Sequence, residues 1–239
     1  IATEMYSAGI DRLTHQPLSF SVSETTEGVH IHIIDAELMG KGEKEKKDLY
    51  IEGVQNNGII NHYEYIINSE GTIEIRHVLK PEGKMPLWFP RIGLTLTVSD
   101  ALDQVKWYGR GPQENYPDRK TGYPMGIYAS TVQAMYEPYL MPQDYGLRTD
   151  VRWLQLTTDK GIGLQFKMNE WFNFNIYPYS TDNLTKAMYT YQLQKQKGMT
   201  LNLDYATTGV GCTARGVFGA YKVMPQEYRR TISIRPMMK

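Results

Sequence analysis

Cysteine is all but missing from this sequence of 239 residues. Cys212 stands alone, so no disulfide can close within the chain. A surplus of one charge is missing too. Lys and Arg total 26, and so do Asp and Glu. Proteins that hold phosphate backbones need a basic excess, so no nucleic-acid partner is expected. No apolar run approaches the roughly 18 residues of a membrane-spanning helix. The opening "IATEMYSAGI" also lacks the basic-then-apolar plan of a secretion signal. No membrane partner is expected, and the compartment stays open. A start at Ile1 rather than Met points to a chain cut from something longer.

Histidine is scarce and unevenly placed: His15, His30, His32, His62 and His77 all precede the middle of the chain. No Ser–His–Asp or Cys–His ordering stands out. His30 and His32 share one face of an expected strand and can hold zinc if a third ligand comes from elsewhere. Val29, Ile31 and Ile33 occupy the other face, which leaves the histidines to solvent, so no metal site is expected. Cys212 lies in "GVGCTARG", near Arg215, which can lower its pKa. The preferred reading is a buried structural thiol. The glycines there do not follow the strand-to-helix layout of a dinucleotide loop, and no cofactor is expected.

Aromatics, by contrast, are plentiful, with 18 tyrosines and 4 tryptophans. They suit the pleated surface of strands, and their flat faces also stack on sugar rings. Apolar residues alternate in "LSFSVSE" (Leu18–Glu24), "VHIHIIDAELM" (Val29–Met39), "TIEIRHVL" (Thr72–Leu79) and "LWFPRIGLTLTVS" (Leu87–Ser99). The pattern continues in "VRWLQLTT" (Val151–Thr158), "GIGLQFKM" (Gly161–Met168), "FNFNIYPY" (Phe172–Tyr179), "TLNLDYA" (Thr200–Ala206) and "RRTISIRP" (Arg229–Pro236). Such alternation predicts half-buried strands, separated by turns at "QNNG", "NSEG" and "TDKG". Ser180–Leu193 predicts the single helix, with Ser180 as N-cap and Asp182 in the first turn. Met39–Asp48 is a charged loop. The expectation is one all-β domain over residues 1–239, a large antiparallel sandwich with one short helix.

Two stretches concentrate polar residues. "VKWYGRGPQENYPDRKTGYPMG" carries Arg110, Glu114, Asn115, Asp118 and Arg119, and "EPYLMPQDYGLRTDVRW" carries Gln143, Asp144, Arg148, Asp150 and Arg152. Glycoside hydrolysis uses two facing carboxyl groups, about 5–5.5 Å apart in retaining enzymes. Glu114 and Asp118 are close in sequence, but Pro117 opposes a helix that would align them. They are expected to bind their own loop, or to pair with Arg110 and Arg119 among Trp107, Tyr108 and Tyr116. For the second stretch, arginine beside carboxylates predicts a hydrogen-bonded corner, with contact to a sugar as the alternative.

In this order, "WYGRGPQENYPDRKTG" and "YEPYLMPQDYGLRTDVRWL" closely resemble the C-terminal small-chain domain of family 2 β-galactosidases. "SAGIDRL", "PRIGLTLTV" and "NFNIYPYSTDNL" extend the likeness over nearly the whole chain. The resemblance implies an antiparallel supersandwich of the galactose-mutarotase type. It also implies a non-catalytic role beside a separate (β/α)₈ barrel that cleaves terminal β-D-galactosides. A barrel of that kind takes about 250 residues of alternating strands and helices, which this chain does not offer. The partners implied are a carbohydrate and the catalytic barrel of the same protein, with homo-oligomerisation allowed. No catalytic residue is expected here. Candidate substrate contacts are Arg110, Glu114, Asn115, Asp118, Arg119, Gln143, Asp144, Arg148 and Arg215. The chain departs from the family pattern in three places. It starts after the family's Asp-Asn loop, places Tyr189 and Tyr191 at histidine positions, and has Gly216 where many members carry a sugar-packing Trp. A free-standing carbohydrate-binding module and a mutarotase-like epimerase are the competing readings.

Overall fold

The computed structural model describes residue 5 and residues 8–39, 57–212 and 216–238. Most of the charged stretch Met39–Asp48 lies outside these residues, as does Arg215. The described chain is mostly antiparallel β-sheet with one short helix, in two compact units.

The first unit comprises residues 1–90 and 222–233. Strands β1 (Thr14–Thr25), β2 (Gly28–Leu38), β3 (Gly58–Ile67) and β4 (Ile73–Glu82) form an antiparallel meander. The expected turn at "NSEG" joins β3 to β4. Asn68 Oδ1 accepts the Glu70 and Thr72 amides, and Gly71 takes φ 76°. Ile59 and Asn61 of β3 are buried, as are Ile75, His77 and Leu79 of β4.

Two expectations change in this unit. The apolar positions of β1 are not half-buried: Leu18, Phe20 and Val22 are 43%, 68% and 56% exposed. β1 pairs only with β2 among the described residues, and its register slips between Pro17 and Ser19. Proline and a bulge are typical of an edge strand. The histidine face of β2 is not open throughout either, because the His30 side chain is only 12% exposed. On that same face Ala36 and Leu38 are buried.

The second unit comprises residues 91–221 and 234–239. Its strands are β5 (Arg91–Val98), β6 (Gln104–Arg110), β7 (Met125–Thr131), β8 (Arg148–Thr157), β9 (Gly163–Tyr177) and β10 (Met199–Thr207). They pair in the order β7-β6-β8-β9-β10-β5, all antiparallel. Trp107, Leu154, Phe166, Phe172, Phe174 and Leu201 are among the core side chains they bury. β11 (Tyr228–Met237) has residues in both units.

The segments expected as two strands, Gly161–Met168 and Phe172–Tyr179, are one 15-residue strand, β9. Its register with β8 jumps from Trp153–Lys167 to Val151–Phe172. The polar residues between are a bulge rather than a turn. The helix is shorter than expected. α1 runs over Thr181–Lys186, capped as anticipated by Ser180, whose side chain accepts the Asn183 amide. It ends because side chains take over the backbone groups beyond it. Gln192 Oε1 accepts the Met188 and Tyr189 amides, and Asn183 Nδ2 donates to the Gln192 carbonyl.

Candidate functional site

The first dense stretch begins as strand β6, which drives Trp107 into the core, 1% exposed. The strand stops at Arg110, and a cis peptide joins Gly111 to Pro112. The chain then turns inward, and Glu114 becomes a hub. Its carboxylate accepts hydrogen bonds from Tyr116 Oη at 3.1 Å, Arg119 Nη2 at 2.9 Å and the Gly146 amide at 2.9 Å, and also from the Tyr139 hydroxyl. Burial and the Glu114 charge together raise the Tyr116 hydroxyl pKa.

Asn115 ties the same two stretches together. Its amide donates to the Leu147 carbonyl, and its Oδ1 accepts both the amide and the hydroxyl of Thr149. Arg148, 3% exposed, donates from Nε to the Pro112 carbonyl and from Nη1 to the Gly146 carbonyl. Its guanidinium lies over Trp107, and burial pulls its pKa down to about 10.

A bulge in β8 sets the third connection. The pairing with β9 slips between Arg148 and Val151, and Asp150 takes φ 56°. Few side chains other than glycine adopt that conformation without support. Support comes from Arg110 Nε at 2.6 Å and Lys120 Nζ at 2.9 Å. Burial opposes the Asp150 charge, but these hydrogen bonds outweigh it and hold the pKa below the usual carboxylate range. Arg110 therefore pairs with Asp150, not with Glu114 or Asp118 as expected.

Asp118 does not bind its own loop. Its carboxylate reaches across the unit to accept the Val210 and Gly211 amides at 3.0 and 2.7 Å. A Cβ on Gly209 would come within 2.4 Å of that carboxyl group, which would have to shift to admit it. A little further along the chain, the Gly216 amide donates to the Cys212 carbonyl. Cys212 is exposed, which overturns the buried-thiol expectation. Gly216 has φ 63° and open space around it, the conformation a non-glycine residue would resist.

Gln143 and Asp144 sit elsewhere. They line a cleft of about 210 Å³ with Pro142, Tyr177, Thr181, Leu184 and Thr185. Asp144 is partly exposed. Its Oδ1 accepts from Asn175 Nδ2 at 2.8 Å, and its Oδ2 lies 3.3 Å from Arg91 Nη2. The same Arg91 nitrogen is 2.9 Å from Asp204, a carboxyl 2% exposed. Burial pushes Asp204 up to about 6 although Arg91 supports its charge. Asn202 extends this polar row to Asn175, Tyr177 and Thr95. Sequence reasoning missed Arg91, Asn175, Asn202 and Asp204. They come from three strands, β5, β9 and β10, and share no local pattern. After α1, Tyr189 and Tyr191 are exposed and stacked, with centroids 5.5 Å apart and planes at 7°.

No helix among the described residues is long and apolar enough to cross a membrane. The sequence profile of a family described as "Beta galactosidase small chain" matches residues 6–234. A β-galactosidase of Priestia megaterium is 38% identical over 147 residues, covering 62% of this chain and 14% of that protein. One from Vibrio cholerae is 31% identical over 207 residues, covering 86% of this chain and 18% of that protein. The chain thus spans only 14–18% of the length of these relatives. A solved structure of a GalM/aldose epimerase homologue from C. elegans aligns with 92% of this chain and 69% of its own, at a TM-score of 0.44 and 12% identity. With one profile running through both dense stretches and the strands on either side of them, the chain belongs to the β-galactosidase small-chain family.

Proposed function

We propose that this chain is a non-catalytic domain of a β-galactosidase, supporting or rimming an active site whose chemistry a separate (β/α)₈ barrel performs on terminal β-D-galactosides. The observation that carries this reading is the occupancy of the motif carboxylates. Glu114 is buried beneath its donors and Asp118 holds two backbone amides. A general acid must reach a glycosidic oxygen and a nucleophile must reach the anomeric carbon. Neither carboxylate is free to do so. Among the candidate contacts, Arg110, Glu114, Asn115, Asp118 and Arg148 are assigned to holding loops. Gln143 and Asp144, at the mouth of the cleft, are the sugar-facing pair, and the half-exposed Arg119 stands apart from them.

Tyr189 and Tyr191 favour the second reading, a carbohydrate-binding module that acts by itself. Two exposed, near-parallel rings offer a platform on which sugars stack. The test is twofold. The 239-residue chain, at high concentration, is expected to leave a chromogenic β-galactoside uncut and to show no saturable binding of lactose. Binding that is lost in Tyr191→Ala would favour the module. Turnover that survives purification and is lost in Glu114→Gln would overturn both readings.

A further inference from the structure

We propose that His30, His32 and Glu64 form a binding site for a divalent transition-metal ion, zinc foremost, on the sheet of the first unit. The strand pairing builds the site. His30 and His32 are two residues apart on β2, so their side chains leave the same face. β3 runs antiparallel beside it with Glu64 directly opposite His32. Glu64 Oε1 lies 3.3 Å from His30 Nδ1 and 3.9 Å from His32 Nε2, and all three ligand atoms fall within 4.8 Å of one another.

Those separations are the right size. Zinc binds imidazole nitrogen and carboxylate oxygen at about 2.0–2.2 Å in tetrahedral geometry, which places neighbouring ligand atoms roughly 3.3–3.5 Å apart. The first pair already meets that spacing, and a small rotation of the half-exposed His32 closes the rest. Two imidazoles and one carboxylate suit zinc, copper or nickel rather than calcium or magnesium.

Three further features point the same way. The second oxygen of Glu64 accepts from Arg76 Nη1 at 3.1 Å, and Arg76 Nε donates to Glu74. The carboxylate is therefore oriented from behind, as metal ligands are, and Glu74 offsets part of the arginine charge. Exposure is graded: side chains are 12% exposed at His30, 25% at Glu64 and 50% at His32. One ligand is fixed by packing and another stands at the mouth, which leaves a fourth position to water. Finally, the proposed ligand atom of His30, Nδ1, is hydrogen-bonded to Glu64 Oε1 alone, and its Nε2 has no protein partner among the described residues. Buried His77 shows the contrast. Its Nε2 pairs with Asn61 Oδ1 at 3.0 Å, and its ring stacks on Tyr63.

A second cluster, His15 with Asp35 and Glu37, provides an internal control. It has a single imidazole, 65% exposed, and two carboxylates, which is a poorer zinc set. The experiment uses the whole 239-residue chain, stripped of metal with a chelator. Zn²⁺ is titrated calorimetrically, and Co²⁺ is followed by its visible absorption. One equivalent is expected to bind. His32→Gln and Glu64→Gln should each weaken it by about tenfold or more, since even outer-shell changes cost that much. His15→Gln should leave it unchanged, and the metal-free variants should melt with the metal-free wild type. No saturable binding of either ion would overturn the proposal. So would binding that survives both His32→Gln and Glu64→Gln, or that disappears with His15→Gln alone.

Discussion

The loop cluster of the second unit and the sheet of the first use charged residues in opposite ways. In the cluster, Glu114, Asn115 and Arg148 carry two or more partners each, with backbone carbonyls or amides among them, and Asp150 is held by both Arg110 and Lys120. Their polar groups are consumed in holding loops that strands cannot hold. On the sheet the backbone ladder already does that work, and side chains such as His32 and Phe20 are left at the surface. The motif that looks chemically richest thus has its polar groups paired within the domain. The sparse His-x-His pair keeps ligand atoms in hand.

The largest effect that tests this contrast is expected at Glu114. Glu114→Ala strands the Gly146 amide and the Tyr116 and Tyr139 hydroxyls and leaves Arg119 without its carboxylate. A loss of about 3–5 kcal/mol is expected, as for other broken buried pairs, read as a shift of the urea midpoint. A loss below about 1 kcal/mol would show that the cluster is not scaffolding.

His77 comes next, as the one core histidine of the sheet. Burial, aided by the His62 charge, lowers its pKa from 6.5 to about 4. Between those values the unfolded chain binds the proton and the folded chain refuses it. The contribution of this residue is thus complete above pH 6.5 and is lost as the pH falls towards 4. The loss is on the order of 3 kcal/mol. Urea unfolding across this range should show a flatter pH slope for His77→Phe than for wild type. Equal slopes would mean that His77 titrates as a surface group.

The smallest effects should come from side chains that only look buried in the sequence. Arg119 is half exposed and is one of several donors to Glu114. Arg119→Ala should therefore cost less than about 1 kcal/mol. Phe20→Thr on the open edge strand should change stability by no more than about 0.5 kcal/mol. A larger loss at Phe20 would reveal packing on that face.

Much of the architecture was legible because alternation and turn chemistry are local. β1, β2, β4, β8, β10 and β11 were expected near their observed places, as were the Asn68–Gly71 turn and the Ser180 cap. β3 escaped notice because "GIINHYEYII" has apolar pairs at both ends, which blur its period. β9 was divided because a bulge in one strand and a turn between two look alike without the partner strand. The resemblance to the β-galactosidase small chain was carried by contiguous residues, and so needed no structure.

Residue types and their order determined most of the strands, the short helix capped by Ser180 and the family. Tertiary structure alone decided which charges are spent and which are free. Asp118 meets amides more than ninety positions away. Arg110 meets an Asp150 turned by a bulge. Glu64 meets two histidines through the register of β2 and β3. The alternation of a strand is written in neighbouring residues. Its partner, register and bulges are settled by packing between residues far apart in the chain, and a shift of one position would send every side chain to the other face.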